Sequence, residues 1–265
     1  MEEEFDLWLA ALVGRDWSKN AREAEGLGQK IEQLLAKRLS GLAIVEAVII
    51  AAIHSSGLAM KKPVSWTEED ILAFCKILRA KAKPFVIAAN KADLASAETN
   101  IEKLRAAHFE VIPCASEAEA LLRKASKKGI LHYLPGDNSF DVKGNFVLNA
   151  QQLNALDIVK TLIQKYGSTG VQEAINIACF KLLHMIVVYP VEDEFKLADK
   201  KGNVLPDARL LPEGSNAKEL AGMVHADLAK GFLYAVDART RQRIGADHKL
   251  KHGDVVKIVS ATSRG

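Results

Sequence analysis

Phe85-Val86-Ile87-Ala88-Ala89-Asn90-Lys91-Ala92-Asp93 is the stretch whose reading decides the fold. It follows Lys83-Pro84 and opens as a short continuous apolar run, the pattern of a strand buried on both faces of a parallel sheet. The sequence then predicts a helix from about Ala97 to Ala107, a second apolar run at Val111-Ile112-Pro113-Cys114-Ala115, and a helix at about Glu117 to Lys127. Strand, helix, strand and helix at this spacing predict a βαβ unit with a parallel pair and a right-handed crossover.

The first strand ends in Asn90-Lys91-Ala92-Asp93, an NKxD sequence at the carboxyl end of a parallel strand, where ligands bind in open α/β sheets. A carboxylate such as Asp93 can accept two hydrogen bonds from the N1–H and exocyclic amine of guanine, an arrangement adenine cannot offer; left without those donors it penalises the wrong base. Asn90 would tie neighbouring loops together and Lys91 would lay its stem over the ring. The second strand ends in Ala115-Ser116-Glu117, a small-residue loop whose backbone N–H could donate to guanine O6. The alternative for the same four letters is an ordinary strand-to-helix turn.

Upstream, residues 1–80 read as helical: Phe5, Leu9 and Leu12, then Ile31, Leu34, Leu35 and Leu39, recur at helical spacing. Ser65 or Thr67 is the expected N-cap of a helix with Glu68, Glu69 and Asp70 in its first turn. Downstream, residues 130–150 read as a loop, and helices are expected at Leu156–Tyr166 and Val171–Leu183, separated by Gly167-Ser168-Thr169-Gly170. From Met185 the chain reads as β, with strands at Ile186–Tyr189, Phe195–Leu197, Val204–Leu211 and Val255–Val259, interrupted by one helix capped by Ser215 or Asn216. The expected divisions are 1–80, 81–135, 136–185 and 186–265.

The 265 residues carry 36 Lys+Arg against 33 Asp+Glu and are 49% hydrophobic, which excludes a disordered chain. Cys75, Cys114 and Cys179 stand apart with no CxxC or Cys/His cluster, so neither a disulfide framework nor a zinc site is expected, and a reducing cytoplasm fits. The acidic start and an apolar run of only about 12 residues at Leu42–Ile53 argue against a signal peptide and a membrane span. Residues 195–265 hold 13 Lys+Arg against 8 Asp+Glu, so the basic excess lies at the C-terminal end. Arg239, Arg241, Arg243, Lys249, Lys251 and Lys257, with His252, form either a solvated face or a surface for RNA phosphates. Trp8, Trp17 and Trp66 read as packing residues, and His54, His184 and His225 as packing or capping residues. No catalytic set and no metal site can be assembled.

With these residues in hand, the chain resembles the C-terminal part of an Obg-related GTPase of the YchF group in its archaeal form. Asn90 to Asp93 is similar to the family's fourth guanine-nucleotide motif, and Pro113 to Glu119 (PCASEAE) resembles its fifth. The stretch from Gly167 to Gln172, together with Leu39-Ser40-Gly41, Trp66 and Glu69-Asp70, resembles further family segments. From about Val187 the chain resembles a TGS domain, a small β-grasp module, through Tyr189 to Asp193, Leu211 to Ser215, Val224 to Leu228 and Leu250 to Val256. The resemblance implies an α/β plus α+β fold: a partial P-loop GTPase-type parallel sheet, helical segments and a C-terminal β-grasp (TGS) domain. It implies GTP or GDP as ligand, a regulatory role near the ribosome or other RNA, and Asn90, Lys91, Asp93, Ala115, Ser116 and Glu117 as the guanine-binding set.

Two departures matter. Ala115-Ser116 stands where the family usually has Ser-Ala, and Ser116 can still supply a backbone N–H. The larger one is that no GxxxxGK[ST] phosphate loop occurs, while Asp141–Gly144 and Asp199–Gly202 spell DxxG only after the guanine motif and read as turns. Hydrolysis by the chain alone is therefore not expected, and magnesium is expected only if missing sequence or a partner chain supplies a phosphate loop. Two parallel strands leave an apolar edge, which predicts partial disorder around residues 85–116, self-association or such a partner. Only residues 1–84 precede the guanine motif's strand, so a chain incomplete at its start is expected. The alternative function is a non-enzymatic RNA- or ribosome-binding module with a vestigial nucleotide site.

Overall fold

The computed structural model describes residues 2–144 and 146–261, so the expected C-terminal module is described except for its last four residues. The chain forms two compact units, one ending at Phe85 and the other beginning at Val86.

The first unit is helical: α1 (Glu2–Gly14), α2 (Trp17–Gly26), α3 (Ile31–Arg38), α4 (Glu46–Ser55) and α5 (Glu68–Ala82). Their apolar stripes close one core around Leu9, Leu35, Ile49, Phe74 and Leu78. Trp17 and Trp66 stack in it with ring centroids 5.1 Å apart, each indole N–H held by a backbone carbonyl. Trp8, in contrast, is half exposed. Thr67, not Ser65, caps α5: its hydroxyl accepts from the Asp70 amide while the Asp70 carboxylate accepts from the Thr67 amide, a reciprocal capping box.

The second unit opens with β1 (Ile87–Ala89), α6 (Ala97–Ala106), β2 (Val111–Pro113) and α7 (Ser116–Lys127), and β1 and β2 pair in parallel with Ile87 opposite Val111. The expected burial on both faces does not hold for β1: Ala88 is exposed, because a sheet of two strands leaves one face of the run at the surface. The other face packs with Ala92, Ile101, Val111, Ala115 and Leu162. The expected loop at 130–150 contains a short antiparallel pair, β3 (Leu131–His132) and β4 (Asp141–Val142), too brief to show a period. Next come α8 (Ala150–Tyr166) and α9 (Val171–Asn176), which continues directly as a π-helical stretch, Ile177–Leu182.

The remainder forms a five-stranded mixed sheet in the order β6-β5-β9-β7-β8, from β5 (Met185–Val191), β6 (Arg209–Pro212), β7 (Phe232–Asp237), β8 (Gln242–Ile244) and β9 (Val255–Ser260). Between β6 and β7 lie α10 (Ala217–Val224) and α11 (Ala226–Lys230). One face of the sheet buries Ile186, Val188, Ala235 and Val256 against Ala217 and Leu220 of α10, giving the β-grasp arrangement. Asn216 is the cap of α10, with Glu219 completing a capping box.

Three local expectations differ. Phe195–Leu197 is a turn, because the Asp193 carboxylate accepts from the Phe195 and Lys196 amides and holds the backbone out of a ladder. Of Val204–Leu211, only the end from Arg209 is strand, and Val204 makes an isolated bridge to Ala198. The strands β7 and β8 and the helix α11 were not expected; β8 is a three-residue edge strand, two of whose residues are polar.

Candidate guanine-recognition site

The site grows from the carboxyl ends of β1 and β2. Cys114 N donates to Ala89 O at 2.9 Å and Ala92 N to Cys114 O at 2.9 Å, so the ladder continues beyond the strands into their loops. Asn90 Oδ1 accepts from Ser116 N at 3.1 Å and joins the first loop to the second. Lys91 adopts φ +64°, a left-handed conformation costly for a side chain with a Cβ and found where a loop is over-determined by its surroundings. Ala92 is buried in the core beneath, which turns its neighbours Lys91 and Asp93 outward, and both are exposed. Among the described residues the Asp93 carboxylate has no hydrogen-bond or ion-pair partner.

The structure therefore brings Asn90, Lys91, Asp93, Ala115, Ser116 and Glu117 to one sheet end. Two of the backbone donors have acceptors within the chain: Ser116 N reaches Asn90, and Ala115 N donates to Thr169 O at 2.9 Å. Ser116 begins α7, and the first amides of a helix have no intrahelical acceptor, so the Glu117 amide belongs to the outward-facing end of this element. The thiol of Cys114, between the loops, is pushed up from its usual range by burial and by the nearby Glu173 carboxylate, which keeps it protonated and unreactive at neutral pH.

A third loop, Gly167-Ser168-Thr169-Gly170, braces the second. Ser168 and Thr169 are buried, and Gly170 N donates to Ser168 Oγ at 3.0 Å. Gly170 has φ +76°, and a Cβ there would lie 1.8 Å from Pro113 O, so only glycine fits this seam. The buried Glu119 carboxylate of α7 accepts from Thr169 Oγ1, from Tyr133 Oη at 2.6 Å and from Arg123 Nε at 2.6 Å. Burial alone would raise its pKa, but hydrogen bonds from Thr169, Tyr133 and Arg123 outweigh that and hold it below the usual glutamate range. Sequence reasoning assigned no role to Glu119, Thr169 or Tyr133. The glycines flanking Ser168-Thr169 mark the loop in the sequence as a break between helices, but nothing there marks its contact with Glu119.

A cleft of about 550 Å³ adjoins this loop, lined by Ser168, Gln172, Glu173 and Lys181 among others, but by none of the expected base-contact residues. Among the described residues no group of three or more His, Cys, Asp or Glu side chains that could hold a metal ion occurs.

The basic residues of the C-terminal module differ in their surroundings. The Arg241 guanidinium lies 5.1 Å from the ring centroid of the exposed Phe195, and that of Arg243 lies 4.4 Å from the centroid of the half-buried Tyr234, both cation–π pairs with an exposed arginine. Lys249 Nζ donates to Gly214 O at 2.6 Å, and Lys257 is half-buried in an ion pair with Glu194. Arg239 and Lys251 are exposed. His225 caps α11, its Nδ1 accepting from Asp227 N at 3.2 Å. Among the described residues no helix is long and apolar enough to cross a membrane.

Comparison with known proteins bears on the same segments. A family profile described as the G4 motif-containing domain of YGR210-like, Obg-like GTPases matches residues 88–193, and a TGS-domain profile matches residues 201–260. A protein of Methanocaldococcus jannaschii described as GTP-binding is 47% identical over 260 residues, which are 97% of this chain and 65% of that protein. A Schizosaccharomyces pombe protein described in the same way is 24% identical over 232 residues, 83% of this chain and 56% of its own length. The crystal structure of a GTP-binding protein from Pyrococcus horikoshii superimposes with a TM-score of 0.75 at 40% identity, over 98% of this chain and 70% of that one. The chain thus spans less than two thirds of the length of both curated relatives.

Proposed function

The chain belongs to the Obg-like GTPase family whose members carry a TGS domain, and from that premise we propose that it binds guanine nucleotides through the two loops at the ends of β1 and β2. The observation that carries the reading is the Asp93 carboxylate: exposed, without a partner among the described residues, and three positions from the asparagine that latches the facing loop. Both of its oxygens are available to accept from guanine N1–H and the exocyclic amine. Lys91 supplies an aliphatic stem for the ring face, and at the amide end of α7, where the Ser116 amide is engaged by Asn90, the Glu117 amide supplies a donor for O6.

Titration of the chain with fluorescently labelled GDP and ADP tests this. Selective GDP binding is expected, and Asp93→Ala should weaken it by about a hundredfold, since two hydrogen bonds to a charged group are lost. Equal affinity for ADP, or an unaltered Asp93→Ala, would overturn the reading.

Phosphate handling is a separate part of the proposal. The sequence contains no Gly-rich phosphate loop, so turnover requires a chain or segment that brings one. Among the described residues β1 has β2 as its strand partner, and its other edge is the pairing template on which such a strand would add. On this reading the chain provides base selection and docking, magnesium arrives with the phosphate-binding part, and the isolated chain hydrolyses no GTP.

Association with RNA or the ribosome, in the cytoplasm, completes the proposal. It rests on the basic excess after residue 194 and on the exposed Arg239, Arg241, Arg243 and Lys251, of which Arg241 lies over the Phe195 ring and Arg243 over the Tyr234 ring. Salt-sensitive RNA binding lost in a triple Arg239, Arg241 and Arg243 to Ala variant is the expected result. RNA binding without any GDP binding would instead favour a module whose nucleotide site is vestigial.

A further inference from the structure

We infer that Thr169, fixed by the Glu119 carboxylate, is a positioning residue for guanine selection: it sets the loop at Ala115 and Ser116 without touching the base. The inference rests on the guanine reading above and names what holds that site in shape.

Thr169 is 1% exposed and has two bonds with opposite addresses. Its hydroxyl donates to Glu119 on α7, and its carbonyl accepts from Ala115 N at 2.9 Å, immediately before α7 begins. The next amide, Ser116 N, is the one that holds Asn90 at 3.1 Å. The order of contacts is therefore Glu119, Thr169, Ala115–Ser116, Asn90, and it ends in the motif that carries Asp93. Gly170 removes the slack, because its backbone lies against Pro113 and Cys114 with no room for a Cβ.

A carboxylate that is 4% exposed is costly unless every donor around it is in place. Glu119 has three: Thr169, Tyr133 from the segment after β3, and Arg123 one turn along α7. The arrangement is directional in a way apolar packing is not. It ties Thr169 to α7 through the side chain while the carbonyl of the same residue meets Ala115, so the two anchors act on one short piece of backbone.

The test uses the full chain with Thr169→Val, which keeps the volume and removes the donor, Thr169→Ser, which keeps the donor, and Glu119→Gln as a second variant should Thr169→Val fail to fold. Affinities for labelled GDP and for IDP, which lacks the exocyclic amine, are measured beside thermal melting and amide exchange over residues 114–117. Thr169→Val, or Glu119→Gln in its place, is expected to lose about tenfold in GDP affinity, to narrow the GDP-over-IDP preference and to exchange faster at 114–117, with Thr169→Ser restoring all three. Folded Thr169→Val with unchanged GDP affinity and preference would overturn the inference. So would equal losses in Thr169→Val and Thr169→Ser that track melting temperature alone. If the unsubstituted chain binds neither nucleotide, the guanine reading itself fails, and unchanged exchange at 114–117 in the variants then overturns the positioning role as well.

Discussion

Asp93 and Glu119 are both carboxylates of the same unit, and their surroundings give them opposite tasks. Asp93 is open and unclaimed among the described residues, so the guanine reading proposed above makes a prediction: Asp93→Asn presents one donor and one acceptor, the complement of xanthine. It is expected to lose guanine affinity about a hundredfold while gaining xanthine nucleotides, as competition titration would read. Glu119 is enclosed by three donors that hold its pKa down, so its ionised form favours the folded state. That contribution is present above the ordinary glutamate range and is lost as pH falls through and below it. Melting curves taken from neutral to acid should drop more steeply for the unsubstituted chain than for Glu119→Gln. Gly170→Ala meets both a positive φ and the Pro113 carbonyl, and a loss of about 3 kcal/mol or more is expected in denaturant unfolding.

At the scale of elements, caps and strand ends differ in how far they announce themselves. The α5 box at Thr67 is written in four consecutive letters, and Thr67→Ala should cost about 1 kcal/mol, seen as a lower melting temperature. The βαβ unit was legible for the same reason: two apolar runs, each ending in a turn of polar or small residues, with a helix between them. The brace beneath it was not, because Thr169 and Glu119 are 50 residues apart and neither belongs to a period or a motif that marks the other. The Phe195 turn misled in the opposite direction, since one carboxylate two residues earlier outweighs three residues of strand-like pattern. Edge strand β8 and the two-residue pair β3 and β4 are short enough that ladder bonds, not composition, define them.

At the scale of the whole molecule, the two units draw on separate sets of buried residues. The core around Phe74 is built from residues between Leu9 and Ala82, with Trp17, Leu35 and Ile49 all inside that span. Residues 2–85 produced alone are therefore expected to fold, with helical circular dichroism and a cooperative melt; an unfolded fragment would refute this. That self-sufficiency has a bearing on descent. A stretch of chain with its own interior can be lengthened, exchanged or allowed to drift between lineages while that interior is kept, whereas the glycine seam behind the loops at the ends of β1 and β2 leaves no room for drift. Among relatives of this protein, substitutions should accumulate quickly before residue 86 and be nearly absent at position 170, a contrast in tempo set by which backbone has room beside it.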